Sequence, residues 1–120
     1  MIDIDKAIVS VLAGATGLKV FPIKKPLTAS VPCIVYRRIT ASDLISHSGN
    51  ENFTTDRIQI IATHTSYTGL RNLVKTIEGV LIANKTNWNI SIPTNIKFDD
   101  YDEEDKVYSC SRDYFFTYNS

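Results

Sequence analysis

His47 and His64 are the only histidines of the chain, and Cys33 and Cys110 the only cysteines. A serine- or cysteine-type hydrolase needs a nucleophile, a base beside it and a third group that orients the base. His47 falls in Ser46-His47-Ser48 inside a polar run, and His64 stands between Thr63 and Thr65. Neither lies near a G-x-S-x-G turn or a related signature. Both read as solvated loop or strand-end residues, and the chain is expected not to be an enzyme. The cysteines lack C-x-x-C spacing and read as two buried thiols.

Metal and phosphate chemistry fare no better. Two cysteines and two histidines are scattered without zinc-ligand spacing. Asp99-Asp100-Tyr101-Asp102-Glu103-Glu104-Asp105 is dense in carboxylates. A calcium loop of the helix-loop-helix kind alternates its acids and needs a glycine in the middle, which this run lacks. It reads as a solvated turn or an electrostatic contact surface. The glycines at 14, 17, 49, 69 and 79 are dispersed, so no phosphate-cradling loop is present. No cofactor is expected.

Charge sharpens the picture. The 120 residues carry 13 Lys+Arg and 13 Asp+Glu, a formal net of zero. That balance argues against a dedicated nucleic-acid binder, which gains affinity by neutralising phosphates. The zero is the sum of two opposed parts. Residues 1–98 hold 11 basic and 6 acidic side chains, net +5, and residues 99–120 hold 2 basic and 7 acidic, net −5. The short basic pairs are Lys24-Lys25 and Arg37-Arg38. Alternation in a strand sends Arg37 and Arg38 to opposite faces. Tyr108, Tyr114, Phe116 and Tyr118 could stack bases, but they follow the carboxylates and read better as sheet core and subunit contact. No apolar run approaches the roughly 20 residues that span a bilayer. The acidic start, Met1-Ile2-Asp3-Ile4-Asp5, is unlike a signal peptide, so folding in the cytosol is expected.

The elements that must position these residues follow from periodicity. Ile4, Ala7, Ile8, Val11, Leu12 and Ala15 recur at helical spacing over about residues 3–14, with Asp3 as N-cap and Gly14 or Gly17 as stop. Lys19-Val20-Phe21-Pro22 is a short apolar piece that proline limits to an edge or a strand end. Residues 33–39 form a strand, residues 41–55 a long polar, mobile connection, and residues 57–64 a second strand. In the latter, Ile58, Ile60 and Ala62 share a face. Leu70, Leu73, Val74, Ile77, Val80 and Leu81 stripe a second helix, capped by Ser66 or Thr68 and ended by Asn84. Lys75 and Glu78 read as an i, i+3 pair on its other face. Residues 88–92 and 95–98 read as one strand interrupted at Pro93. The acidic run reads as a turn. Val107 to Tyr118 is the last strand, with Arg112 breaking its aromatic face. The expected fold is one α+β domain over residues 1–120. It has a mostly antiparallel or mixed sheet of four to five strands, with two amphipathic helices packed on one face, in the order α-β-β-β-α-β-β.

One resemblance spans nearly the whole chain. The N-terminal helix leading to Val20-Phe21-Pro22, then Val31-Pro32-Cys33-Ile34-Val35-Tyr36, resembles the phage tail completion family, the tail terminators or tail-to-head joining proteins of long-tailed bacteriophages. So do Asp56-Arg57-Ile58-Gln59-Ile60-Ile61-Ala62 with Ser66-Tyr67, the helix positions Leu70, Leu73 and Ile77, and the end Tyr108…Arg112-Asp113-Tyr114-Phe115-Phe116. Each motif is loose, and their joint order is what is specific. The resemblance implies a structural virion protein at the head–tail junction, assembled in the host cytoplasm. Family members form rings, typically hexamers, on the last ring of the tail tube. They end its polymerisation and present a surface to the head connector or stopper. DNA passes through the lumen without specific binding, and no membrane is involved. The polar run 41–55 and the dense acids depart from the family pattern. Candidate interface residues are Leu44, Ile45 and Phe53 as apolar anchors, Arg37 and Arg38 as cations, and Asp100, Asp102, Glu103 and Glu104 as anions. Another head-completion or connector protein is the near alternative. A small nucleic-acid-binding module or a hydrolase is the distant one.

Overall fold

The computed structural model describes residues 3–23, 31–42, 53–91 and 97–119. Helix α1 spans Ile4–Thr16. Asp3 caps it by accepting the Lys6 amide at 3.3 Å, and Asp5 stands in the first turn against the positive end of the helix dipole. Gly17 ends it at φ 71°, a left-handed conformation that costs glycine least, and its amide donates to the Ala13 carbonyl at 2.8 Å. Strands β1 (Val20–Pro22), β2 (Cys33–Ser42) and β3 (Phe53–His64) follow. Helix α2 spans Tyr67–Ala83, with Ser66 as N-cap and Asn84 as C-cap. Strands β4 (Asn89–Ser91), β5 (Lys97–Asp102) and β6 (Val107–Asn119) complete the order.

Among the described residues the sheet has six strands in the order β1-β2-β3-β6-β4, with β5 also paired to β6. β1 runs parallel to β2, and every other pairing is antiparallel, so the sheet is mixed. β3 occupies one side of β6 along Tyr108 to Asn119. β5 and β4 therefore lie end to end along the other side, against residues 107–112 and 115–117.

Both helices pack on one face, as the periodicity predicts. Ile4, Ile8 and Leu12 of α1 and Leu70, Leu73, Ile77 and Leu81 of α2 join a single buried cluster. From the sheet come Ile34, Tyr36, Ile58, Ile60, Ala62, Cys110, Tyr114, Phe116 and Tyr118. Burying each large aliphatic side chain contributes roughly 1.5–3 kcal/mol, so this stripe holds the helices down. Trp88 plugs one end. Its ring meets Phe116 edge-on at 5.0 Å, and its indole Nε1–H donates to the Leu81 carbonyl at 2.8 Å.

Several sequence expectations change. The segment read as one strand broken at Pro93 is two strands, β4 and β5. The acidic run is not a turn throughout: Asp99, Asp100 and Asp102 belong to β5, and the turn is confined to residues 103–106. Aspartate is a poor strand former, but pairing to β6 from Lys97↔Arg112 to Asp102↔Val107 supplies the backbone partners that override the preference. β2 continues past Ile39 through a register shift between Arg38 and Thr40. The 41–55 connection shrinks to 43–52, because residues 41–42 and 53–55 are strand. Leu44, Ile45 and His47 lie outside the described residues, as do the side chain of Phe53 and the pair Lys24-Lys25.

Candidate functional site

Strand alternation divides the charged residues between two faces and two edges. On the helix-covered face Arg38 reaches between two carboxylates, Asp5 at 3.5 Å and Asp56 at 3.2 Å. Asp56 is 1% exposed and also accepts the Tyr118 hydroxyl at 2.7 Å. Its second oxygen, Oδ1, has no partner among the described residues. Burial, then the hydrogen bond to Asp56, pushes the Tyr118 phenol up from 10.0 to about 12. The hydroxyl is thereby held as a donor, and α1, β2, β3 and β6 are tied at one point. Burial likewise pushes Tyr114 up to about 12.

On the opposite face Arg57 grips Asp113, with Nε at 2.7 Å and Nη2 at 2.6 Å from the same carboxylate oxygen. Asp113 is 2% exposed. Arg37 stands on this face too, as alternation predicts, and its Nη2 donates to the Ile23 carbonyl at 3.0 Å. Asp56 and Asp113 were not legible as site residues. Each sits at an apolar-strand position, and only the arginine next in space explains its presence. The Arg112 that breaks the aromatic face is paired with Glu78 of α2. This corrects the expected Lys75–Glu78 pair: Glu78 turns toward the sheet, where a partly buried guanidinium offers more than an exposed ammonium.

The anionic candidates gather along the outer edge. Asp99, Asp100, Asp102, Glu103 and Glu104 are all exposed. Asp102 Oδ1 accepts the Glu104 and Asp105 amides at 2.9 and 3.2 Å and so shapes the turn. Lys106 closes the turn at φ 55°. Register splits the run. Asp99 and Tyr101 face the helix side opposite Cys110 and Tyr108, while Asp100 and Asp102 face the open side. Tyr101 leans on Tyr108 at 4.5 Å, and Tyr108 meets Tyr67 of α2 edge-on at 5.7 Å.

A cleft of about 430 Å³ lies between α2 and the β5–β6 pair, lined among others by Arg71, Lys75, Glu78, Asp99 and Arg112. The Cys110 thiol, 7% exposed, also reaches its wall. His64 has another role: its Nδ1 accepts the Ser66 amide at 3.0 Å. A Cβ at Gly69 would lie 2.4 Å from its ring. His64 therefore packs beneath the first turn of α2, where only glycine leaves room. Cys33 and Cys110 are buried, as expected. Among the described residues no cluster of His, Cys, Asp and Glu could hold a metal ion, and no helix is long and apolar enough to cross a membrane.

What the arrangement can do is associate. Arg37, on the part of β2 beyond β1, and the carboxylates of β5 stand toward opposite sides of one sheet, with β3 and β6 between them, while Arg38 is already paired with Asp5 and Asp56. No protein-family model matches this chain, and no curated protein matches it.

Proposed function

We propose that this chain is a structural protein of the phage particle, a tail completion subunit that caps the tail tube, ends its polymerisation and joins tail to head. The observation that carries the reading is the charge toward the two sides of the sheet, the Arg37 cation on β2 and the carboxylates on β5. A closed ring built head to tail needs two different patches on each subunit. Opposite charges toward opposite sides meet that need and set the register of neighbours.

In this reading the subunit acts by assembly and not by catalysis. Its partners are further copies of itself in a ring, typically a hexamer, the tail tube protein below and the head connector above. DNA crosses the lumen and is not held, because the subunit has no surplus of positive charge to retain phosphates.

The test is addition of the purified protein to unjoined tails. Electron microscopy should show a ring at the head-proximal end, and the treated tails should become competent to join heads. Tails that keep elongating, or that gain no joining competence, would refute the function.

A further inference from the structure

We propose that copies of this chain bond edge to edge, the free edge of β2 in one copy adding to the outer edge of β5 in the next, so that one sheet continues between subunits. This extends the ring reading above by naming the strands that join.

Among the described residues both edges lack a strand partner. β1 covers β2 only along Ile34–Tyr36, so the stretch 37–42 has β3 on one side and no described strand on the other. β5 pairs there with β6 alone. Unpaired strand edges present rows of amides and carbonyls that another strand can satisfy. The lengths agree, since β5 has 6 residues and the free part of β2 runs over 37–42.

Direction and face agree as well. β2 is antiparallel to β3, β3 to β6, and β6 to β5, so β2 and β5 run oppositely. Through the ladders β5 lies level with the start of β2 up to Tyr36, so a neighbour offset along the strands by about six residues brings 37–42 beside β5, antiparallel, the more stable pairing. Arg37 stands on the open face, and so do Asp100 and Asp102. A continued sheet keeps these on one side, where opposite charges across strands attract.

The charges also select the pairing. Two β2 edges would bring arginines together, and two β5 edges would bring aspartates together. Only the mixed pair is attractive, which favours head-to-tail growth over a twofold dimer.

Finally, the β2 edge carries a preformed apolar corner. Ile23 is 69% exposed and Ile39 43%. Ile23 sits at φ 70°, a strained conformation for a β-branched residue. It is held there by its amide donating to the Tyr36 carbonyl at 2.8 Å and by its carbonyl accepting from Arg37. Tyr101 of β5, 42% exposed, faces the helix side and so lies across the sheet from Ile39.

Two measurements test this, each with and without purified tails. Chains bearing Arg37→Cys and Asp102→Cys, opposite each other when 37–42 pairs with β5, are mixed and oxidised. The mixed pair should cross-link in preference to either chain with itself. Separately, Arg37→Glu and Asp100→Arg should each weaken association roughly tenfold or more, read by sedimentation, while circular dichroism stays native. The double variant R37E/D100R should recover it. No mixed cross-link under either condition, or single variants that associate like the parent, would overturn the inference. Rings on tails that ignore the charge swap would sink edge pairing and spare the function. Edge cross-linking by a protein that does not cap tails would sink the function and spare the pairing.

Discussion

Asp56 and Asp113 are buried and each meets an arginine, whereas Asp99, Asp100 and Asp102 stand exposed on an edge strand with no ion pair among the described residues. The residue type is the same and the consequences are opposite. A buried carboxylate is tolerated only while its partner stays, because losing the partner strands a charge away from water. An exposed carboxylate keeps its hydration, contributes little to folding, and remains available to a neighbour. The interior is thus committed to stability, and the β5 edge keeps its charges in water.

Substitutions that break this contrast rank by where they fall. Phe116→Ala removes a fully buried ring from beneath Trp88 and Tyr114. It should cost about 3–5 kcal/mol, read by urea denaturation. Arg57→Ala leaves Asp113 without its cation and should cost about 3 kcal/mol. A cost no larger than that of a surface change would mean the Arg57–Asp113 pair holds nothing.

Tyr118→Phe should cost about 2 kcal/mol, since it removes a hydrogen bond to a buried carboxylate. It also has a pH signature. In the folded chain Tyr114 and Tyr118 keep their protons to about pH 12, while the unfolded chain releases them near 10.0. The folded state therefore binds more protons in that window. Their contribution is full below pH 10 and declines as the pH rises toward 12. Tyr118→Phe should flatten that decline in denaturation curves taken across the window, and an unchanged slope would contradict the assignment.

The smallest effect on folding is expected where the effect on assembly is largest. Replacing Asp100, Asp102, Glu103 and Glu104 together by Asn or Gln should change stability by less than about 0.5 kcal/mol. With Asp102→Asn the side chain still offers a carbonyl oxygen to the turn amides. Ring formation and particle joining should nevertheless fall. Unchanged joining and phage titre would remove the acidic edge from the interface.

Much of the frame was readable from residues alone. The cap at Asp3, the stripe from Leu70 to Leu81 and the alternation of Ile58, Ile60 and Ala62 are local patterns with local causes, and each stands where expected, while of the two stops offered, Gly14 and Gly17, the helix uses the second. The same alternation placed Arg37 and Arg38 on opposite faces. The acidic run was legible as a surface, but its partition was not. Aspartates at 99, 100 and 102 have no preference for strand, and only the ladder with β6 extends them and divides them between two faces.

Sequence by itself determined the class of the molecule: two amphipathic helices on one face of a mixed sheet, and a charge split between residues 1–98 and 99–120. Periodicity and composition are properties of neighbours along the chain, so they survive without knowledge of the fold. Tertiary structure alone decided which charges are spent inside and which are left outside. Asp56 meets Arg38, Asp113 meets Arg57, and Glu78 meets Arg112 across distances in sequence that no local pattern records. It also decided that Arg37 of β2 and the carboxylates of β5 end toward opposite sides of one sheet, because strand order is set by pairing in space and not by position in the chain.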